Sequence, residues 1–207
     1  VTREIICADA LPWMAACKAL GAVVTSLPDA EEIGTTIPEW KEWFSGALAA
    51  CFSITAPEAP AIFYQTDRKV AGQTMSKAAL VLAAGEQAGS RLLWHKIVLR
   101  RGVGATDLHR PGYSHLIAFS AKGRPGVATP DVMERGPVLY PNGIGINVAD
   151  LAVRFAGDKR WPIIDPFCGR GTIPALADAM GFDAVGVDIL PEQAAAAAAL
   201  NLVRRGV

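Results

Sequence analysis

Residues 165 to 172 of this 207-residue chain run Asp165, Pro166, Phe167, Cys168, Gly169, Arg170, Gly171, Thr172, directly after a short apolar run and directly before a helix-forming one. Glycines at a strand-to-helix turn let the backbone approach a ligand closely, and the helix start offers unpaired N–H groups. A second carboxylate, Asp188, closes the next apolar run seventeen positions after Gly171. That is about where an acid meets ribose hydroxyls in a nucleotide-binding βαβ unit. The spacing points to an adenosine-containing cofactor. The third glycine of the dinucleotide fingerprint is missing, and Asp165 would repel a pyrophosphate while suiting a cationic amino-acid group. The combination favours S-adenosyl-L-methionine over a nicotinamide dinucleotide.

Other segments carry groups that could meet a substrate. Gln65, Thr66, Asp67 and Arg68 follow a strand-like run, where open α/β sheets present binding groups. Arg100, Arg101, His109, Arg110, Lys122 and Arg124 cluster in or beside Gly-rich connections, and a basic loop of this kind suits phosphates. Asp29 follows another strand-like run and has the chemistry of a proton acceptor, or of a helix-starting carboxylate beside Glu31 and Glu32. Cys7, Cys17, Cys51 and Cys168 are far apart without a CxxC pair, so they form neither a zinc site nor a disulfide framework and imply a reducing, cytoplasmic setting. His95 and His115 are expected as packed strand residues, and Cys168 as packing beside the cofactor.

Twenty Lys and Arg balance twenty Asp and Glu, which excludes a uniformly basic nucleic-acid glove but not a local basic face. The distribution is uneven: residues 1–60 hold three basic against eight acidic side chains, and residues 91–135 hold eight against three. Hydrophobic residues make up 51% of the chain, the composition of a compact globular protein. The apolar stretch from Ile5 to Val24 is broken by Asp9, Pro12 and Lys18, so no membrane partner is expected.

The elements that must position these groups alternate. Strands are expected at 4–8, 22–25, 61–65, 92–99, 115–120, 162–164 and 184–187. Helices are expected at 11–19, 37–54, 74–88, 144–155, 173–180 and 191–203. This predicts an α/β three-layer sandwich with a mostly parallel sheet and the 92–120 hairpin as its antiparallel edge. One domain over residues 1–207 is expected, with a substrate-side half at 1–135 and a cofactor-binding half at 136–207.

The DPFCGRGT segment is similar to the DPFCGSGT signature of methyltransferases that modify amino groups in nucleic acids. Val23 to Asp29 (VTSLPD, with its preceding Val) resembles the VTSPPY motif of the circularly permuted beta class of these enzymes, which includes cytosine-N4 methyltransferases. Ala8-Asp9-Ala10 resembles the family's Gly-Asp-Ala segment. Leu93 to Lys96 and Ser114 to Phe119 resemble its two late strands, and Tyr140 to Val148 lies where its cofactor-carboxylate helix precedes the signature. The resemblance implies a Rossmann-like methyltransferase fold in permuted motif order, with the signature near the C-terminus.

It also implies roles. Asp9, Asn142, Asp165, Pro166, Phe167, Cys168, Gly169, Gly171, Thr172, Asp188 and Ile189 would bind S-adenosyl-L-methionine, with Asp9 on the adenine and Asp188 on the ribose. Ser26, Pro28 and Asp29 would form the catalytic turn, and Gln65, Asp67, Arg100, Arg101 and Arg110 would contact substrate. Leu27 replaces the motif's first proline and Asp29 its terminal aromatic, so a stacking face would have to come from Tyr64, Trp94 or Tyr113. No added target-recognition domain is evident, which favours methylation of a base in RNA, a polymer recognisable by shape. DNA cytosine-N4 or adenine-N6 methylation, a small-molecule methyltransferase and a noncatalytic cofactor-binding subunit are the alternatives.

Overall fold

A computed structural model describes residues 1–17, 20–70, 72–123, 126 and 128–202. The first half runs β1 (Arg3–Cys7), α1 (Ala10–Ala16), β2 (Ala22–Thr25), α2 (Ala30–Ile33), α3 (Ile37–Ser53), β3 (Ala61–Gln65), β4 (Arg68–Val70), β5 (Gln73–Met75) and α4 (Lys77–Gln87). The second half runs β6 (Arg91–Leu99), β7 (Tyr113–Ser120), β8 (Val132–Glu134), α5 (Ile146–Ala156), β9 (Ile163–Asp165), α6 (Thr172–Ala179), β10 (Ala184–Asp188) and α7 (Pro191–Ala199).

Eight strands form one sheet in the order β1-β10-β9-β2-β3-β7-β6-β8. The run from β1 to β3 is parallel throughout, β7 is antiparallel to both β3 and β6, and β8 is parallel to β6. Seven strands therefore point the same way and only β7 runs against them. The C-terminal ends of β1, β10, β9, β2, β3, β6 and β8 consequently open along one edge, where open α/β sheets place ligands.

The continuous apolar run Ala61–Tyr64 forms a central strand because both of its faces are covered, and all five residues of β3 are buried. Val23, Ala61, Phe63, Ile117 and Phe119 point into one core with residues of α1, α3 and α4. Val24, Ile62, Tyr64, Leu116 and Ala118, the alternate positions, point into a second core with residues of α5 and α6. Gly85 lets α4 lie on β7, since a Cβ there would fall 2.3 Å from the Phe119 ring. The chain ends meet: the Arg3 guanidinium donates to the Leu200 carbonyl at 2.6 Å.

The mostly parallel sandwich expected from the sequence is what forms, with local differences. The β6–β7 hairpin is not the outermost feature, because β8 pairs with β6 and covers it. α4 begins at Lys77 rather than near residue 74, since Gly72 at φ 78 turns the chain so that β5 pairs back on β4. Ser76 then caps the helix by accepting from the Ala79 N–H. The expected ends of the first and last helices, at Ala19 and Val203, lie outside the described residues, as does Arg124.

Candidate active site

Three carboxylates gather at the ends of the adjacent strands β1, β10 and β9. Asp165, the last residue of β9, is buried at 4% exposure. One of its oxygens, Oδ1, accepts from the Thr25 hydroxyl at 2.7 Å and from the Phe167 N–H at 3.3 Å. Burial pushes its carboxyl up to about 7, against the pull of those two donors and with a further push from Asp188. Asp188 braces the glycine turn by accepting from the Gly169 N–H, and it also accepts from the Leu190 N–H, both at 2.9 Å. Asp9 is exposed and starts α1 by accepting from the Leu11 N–H at 3.0 Å. The Asp188 carboxylate lies close enough to act on that of Asp165, and the 62% exposed Ile189 beside Asp188 adds an apolar surface.

The two signature glycines serve different ends. Both have left-handed backbone, at φ 52 for Gly169 and φ 82 for Gly171. Space around Gly169 is open, whereas a Cβ on Gly171 would fall 2.7 Å from that of Ala197. Gly169 thus leaves room for a ligand, while Gly171 lets α6 pack on α7. Pro166 and Cys168 are buried, and burial pushes the Cys168 thiol far up, so it is packing rather than nucleophile. Phe167 meets Trp43 of α3 edge-on at 5.7 Å. The Thr172 hydroxyl donates to the Tyr140 hydroxyl at 3.0 Å, tying α6 to the loop before α5. In that loop Asn142, exposed and at φ 63, occupies the left-handed position of a turn closed by Gly143 N–H to Tyr140 O at 3.1 Å.

The turn after β2 lies one strand from Asp165. Ser26 is exposed, Leu27 and Asp29 are buried, and the Pro28 carbonyl accepts from the Trp40 indole N–H at 3.1 Å. Asp29 is the centre of an ion cluster. Its Oδ1 pairs with the Lys77 ammonium, while Oδ2 accepts from Arg110 at 2.8 Å and from Arg68 at 3.1 Å. Arg68 also pairs with Glu31. Burial alone would raise the Asp29 carboxyl, but Lys77, Arg110 and Arg68 outweigh it and hold the group below the ordinary carboxylate range. A carboxylate so held is a poor proton acceptor; of the two roles expected for Asp29 the structure favours the helix-starting one, since it is the N-cap of α2 and its N–H donates to Glu32 at 2.6 Å. Beside it opens a cavity of about 280 Å³, with Glu31, Thr36, Arg68 and Met75 in its wall.

The groups expected to meet substrate divide. Gln65 is buried at 1% exposure, and its Oε1 accepts from Lys77 at 3.3 Å. Asp67 is also interior: it accepts from the Lys77 and Ala78 N–H groups at 2.8 and 3.2 Å and faces His115 Nε2 at 3.3 Å. These two residues start α4 and join strands instead of reaching outward. Arg101 pairs with Asp107 at 2.5 Å, and Arg110 is spent on Asp29. Arg100 is half-buried at the open edge. Of the possible stacking rings, Tyr64 is in the core and Trp94 packs edge-on against Phe155 at 5.1 Å. Tyr113 is 39% exposed at the open end of β7.

No protein-family model matches the chain, and no curated protein matches its sequence. Solved structures do resemble it. A candidate DNA modification methylase from Thermus thermophilus, complexed with S-adenosyl-L-methionine, superposes with TM-score 0.74 at 18% identity, over 95% of this chain and 91% of that one. The cytosine-N4-specific PvuII DNA methyltransferase gives TM-score 0.80 at 13% identity, over 96% and 86%. The M1.HpyAVI–SAM complex gives 0.67 at 13% identity, over 94% and 97%. The fold is that of these methyltransferases.

Sequence reasoning missed parts of this site. Thr25 lies inside the recognised motif, but nothing in the sequence marks its bond to Asp165. Lys77 was not singled out, and Arg68, expected on the substrate side, instead joins Lys77 in neutralising Asp29, from 39 and 48 positions away in the chain. The acidic residue in an otherwise apolar turn was the available signal, since a buried carboxylate needs a cation.

Proposed function

We propose that the protein is an S-adenosyl-L-methionine-dependent methyltransferase acting on a base in nucleic acid. The observation that carries this reading is the 2.7 Å hydrogen bond from Thr25 to Asp165. It joins the carboxylate at the end of β9 to an exposed serine turn on the neighbouring strand, and methyl transfer needs a cofactor site and a substrate site side by side. When bound, the cofactor supplies a methyl group activated by its sulfonium. Asp165 fits its ammonium, Asp188 its ribose hydroxyls, and Asp9 and Ile189 its adenine, while the open space over Gly169 admits the ligand.

On the substrate side the protein mainly positions. The Ser26 hydroxyl and the Leu27 carbonyl accept hydrogens from the attacking amine and stabilise the positive charge growing on nitrogen. Pro28 shapes the turn, its carbonyl given to Trp40. Asp29 acts through Arg110, Arg68 and Lys77 to fix the turn against the β6–β7 connection and α4. Its charge is neutralised there. Tyr113 offers the stacking face that Asp29 does not. The strand order, with β1 beside β10 and the signature strand β9 in mid-sheet, supports the permuted motif order.

RNA was the expectation from sequence. The solved structures with this fold include DNA methyltransferases, and DNA therefore takes first place, with RNA as its alternative. Among the described residues no helix is long and apolar enough to cross a membrane. The test is transfer of labelled methyl from S-adenosyl-L-methionine into separate DNA, RNA and small-metabolite pools. Label in DNA supports the reading in full, and label only in RNA changes the polymer. Label confined to metabolites, or none despite cofactor binding, overturns it.

A further inference from the structure

Most cations at the open edge of the sheet are already committed. Arg68 and Arg110 hold Asp29, Arg101 holds Asp107, and Lys69 donates to the Asp107 carbonyl at 2.6 Å. Arg100 and Arg135 differ: among the described residues, no carboxylate or carbonyl receives either guanidinium. Their strands bring them together, since β6 and β8 pair in parallel with Leu99 opposite Glu134, and the Arg135 N–H donates to the Leu99 carbonyl at 2.9 Å. The Arg135 side chain lies at the start of α5, where a Cβ on Gly145 would fall 2.3 Å from its Cγ, and its charge acts on Arg100. Val98 and Met133, two residues before them, belong to the core beneath α5, so Arg100 and Arg135 emerge beyond that core at the C-terminal ends of their strands.

Two half-buried guanidiniums side by side repel each other and lose hydration, a cost that a bound anion removes. Burial holds Arg100 below its usual range; Tyr64 opposes this, and Arg135, Arg110 and Arg101 add to it. The position gives the anion a place relative to the chemistry. β6 and β8 lie three and four strands from β2, hence about 14 and 19 Å from the serine turn on the same edge. That is a span of a few nucleotides from a base held at Ser26.

We propose that Arg100 and Arg135 together seat a backbone phosphate of the nucleic acid, a few nucleotides from the target base. The inference rests on the nucleic-acid reading above and adds Arg135, which the sequence pattern had not singled out. It also separates a phosphate seat from Arg101 and Arg110, whose charges serve the protein's own loop.

The experiment measures binding of a labelled twelve-nucleotide single strand, as DNA and as RNA, across a salt series. It compares the wild type, the Arg100→Gln/Arg135→Gln pair, the Arg100→Lys/Arg135→Lys pair and Arg101→Gln. Losing one phosphate contact lowers the slope of log K against log salt by about 0.7 for a single strand. That loss is expected in the glutamine pair, with the lysine pair retaining the slope, Arg101→Gln changing it by less than half as much, and thermal melting unchanged. Calorimetry with S-adenosyl-L-methionine runs alongside. An unchanged slope in the glutamine pair, while the wild type binds, overturns the phosphate seat alone. Weakened cofactor binding instead assigns the pair to the cofactor's carboxylate and overturns it too. No wild-type binding to either strand refutes the nucleic-acid reading itself.

Discussion

Asp165 should make cofactor binding and folding respond to acid in opposite directions. Burial raises its carboxyl to about 7, whereas an unfolded aspartate titrates near 3.9. In the free protein the folded state therefore holds a proton that the unfolded state has lost. Stability rises as pH falls from about 7 towards 4, by up to about 4 kcal/mol for a shift of roughly three units. Cofactor binding runs the other way, because a ligand ammonium needs the ionised carboxylate. At pH 7.5 about three quarters of the groups are ionised and at pH 5.5 about 3%, so affinity should fall roughly 25-fold between them. The ligand's α-amino group stays mostly protonated over that range, with a pKa near 8. Calorimetry in two buffers of different ionisation enthalpy should show nearly one proton released per cofactor at pH 5.5. Asp165→Asn should flatten both profiles, and Thr25→Val should move the break in the binding profile to higher pH by removing a donor to the carboxylate. A flat affinity between pH 5.5 and 7.5, or a slope that persists in Asp165→Asn, would refute the assignment.

Three further outcomes follow from the geometry. Asp29→Asn leaves the Lys77 ammonium, 3% exposed, without its counter-charge, and should cost about 3 kcal/mol in urea unfolding. The pair Asp29→Asn/Lys77→Met should recover much of that loss, and a double-mutant cycle showing no coupling would dissolve the ion cluster as a structural unit. Ser26→Ala should lower methyl transfer at saturating substrate by one to two orders of magnitude, about 1.4–2.7 kcal/mol, while calorimetric cofactor affinity stays put. Gly85→Ala forces a Cβ against the Phe119 ring and should destabilise by about 1–3 kcal/mol, read as a drop in melting temperature.

The fold was legible because its signals are local. The buried run Ala61–Tyr64, the glycine turn at 169–171 and the Ala-rich α7 each declare themselves within a few residues, and their alternation implies a parallel sheet. The acidic strand ends around the glycine turn were legible for the same reason, since Asp165, Gly169 and Asp188 lie within one strand-turn-helix-strand unit. β4, β5 and β8 were not, because these three-residue strands lack the buried apolar run that marks the equally short β9 and form because a partner lies beside them. Polar residues after β3 look alike in sequence whether they face solvent or start the next helix. Only the three-dimensional packing shows that Asp67 spends its acceptors on α4 and His115.

Asp29 shows most directly why motif position does not transfer function by itself. Its place in the turn argues for contact with the substrate, and its chemistry in isolation argues for proton transfer. Both arguments fail once its neighbours are known, because a carboxylate 6% exposed that satisfies Lys77, Arg68 and Arg110 has its charge fully used within the fold. The consequence reaches beyond the residue. Where an aromatic side chain would join the turn to the substrate, this chain joins it to α4, to the β4–β5 hairpin and to the long β6–β7 connection. Under the proposed function, recognition would then shift outward along the same edge, to the exposed Tyr113 and to Arg100 and Arg135. Ser26 stays exposed in the turn, and the residue that departs from the motif anchors that turn through Lys77, Arg68 and Arg110.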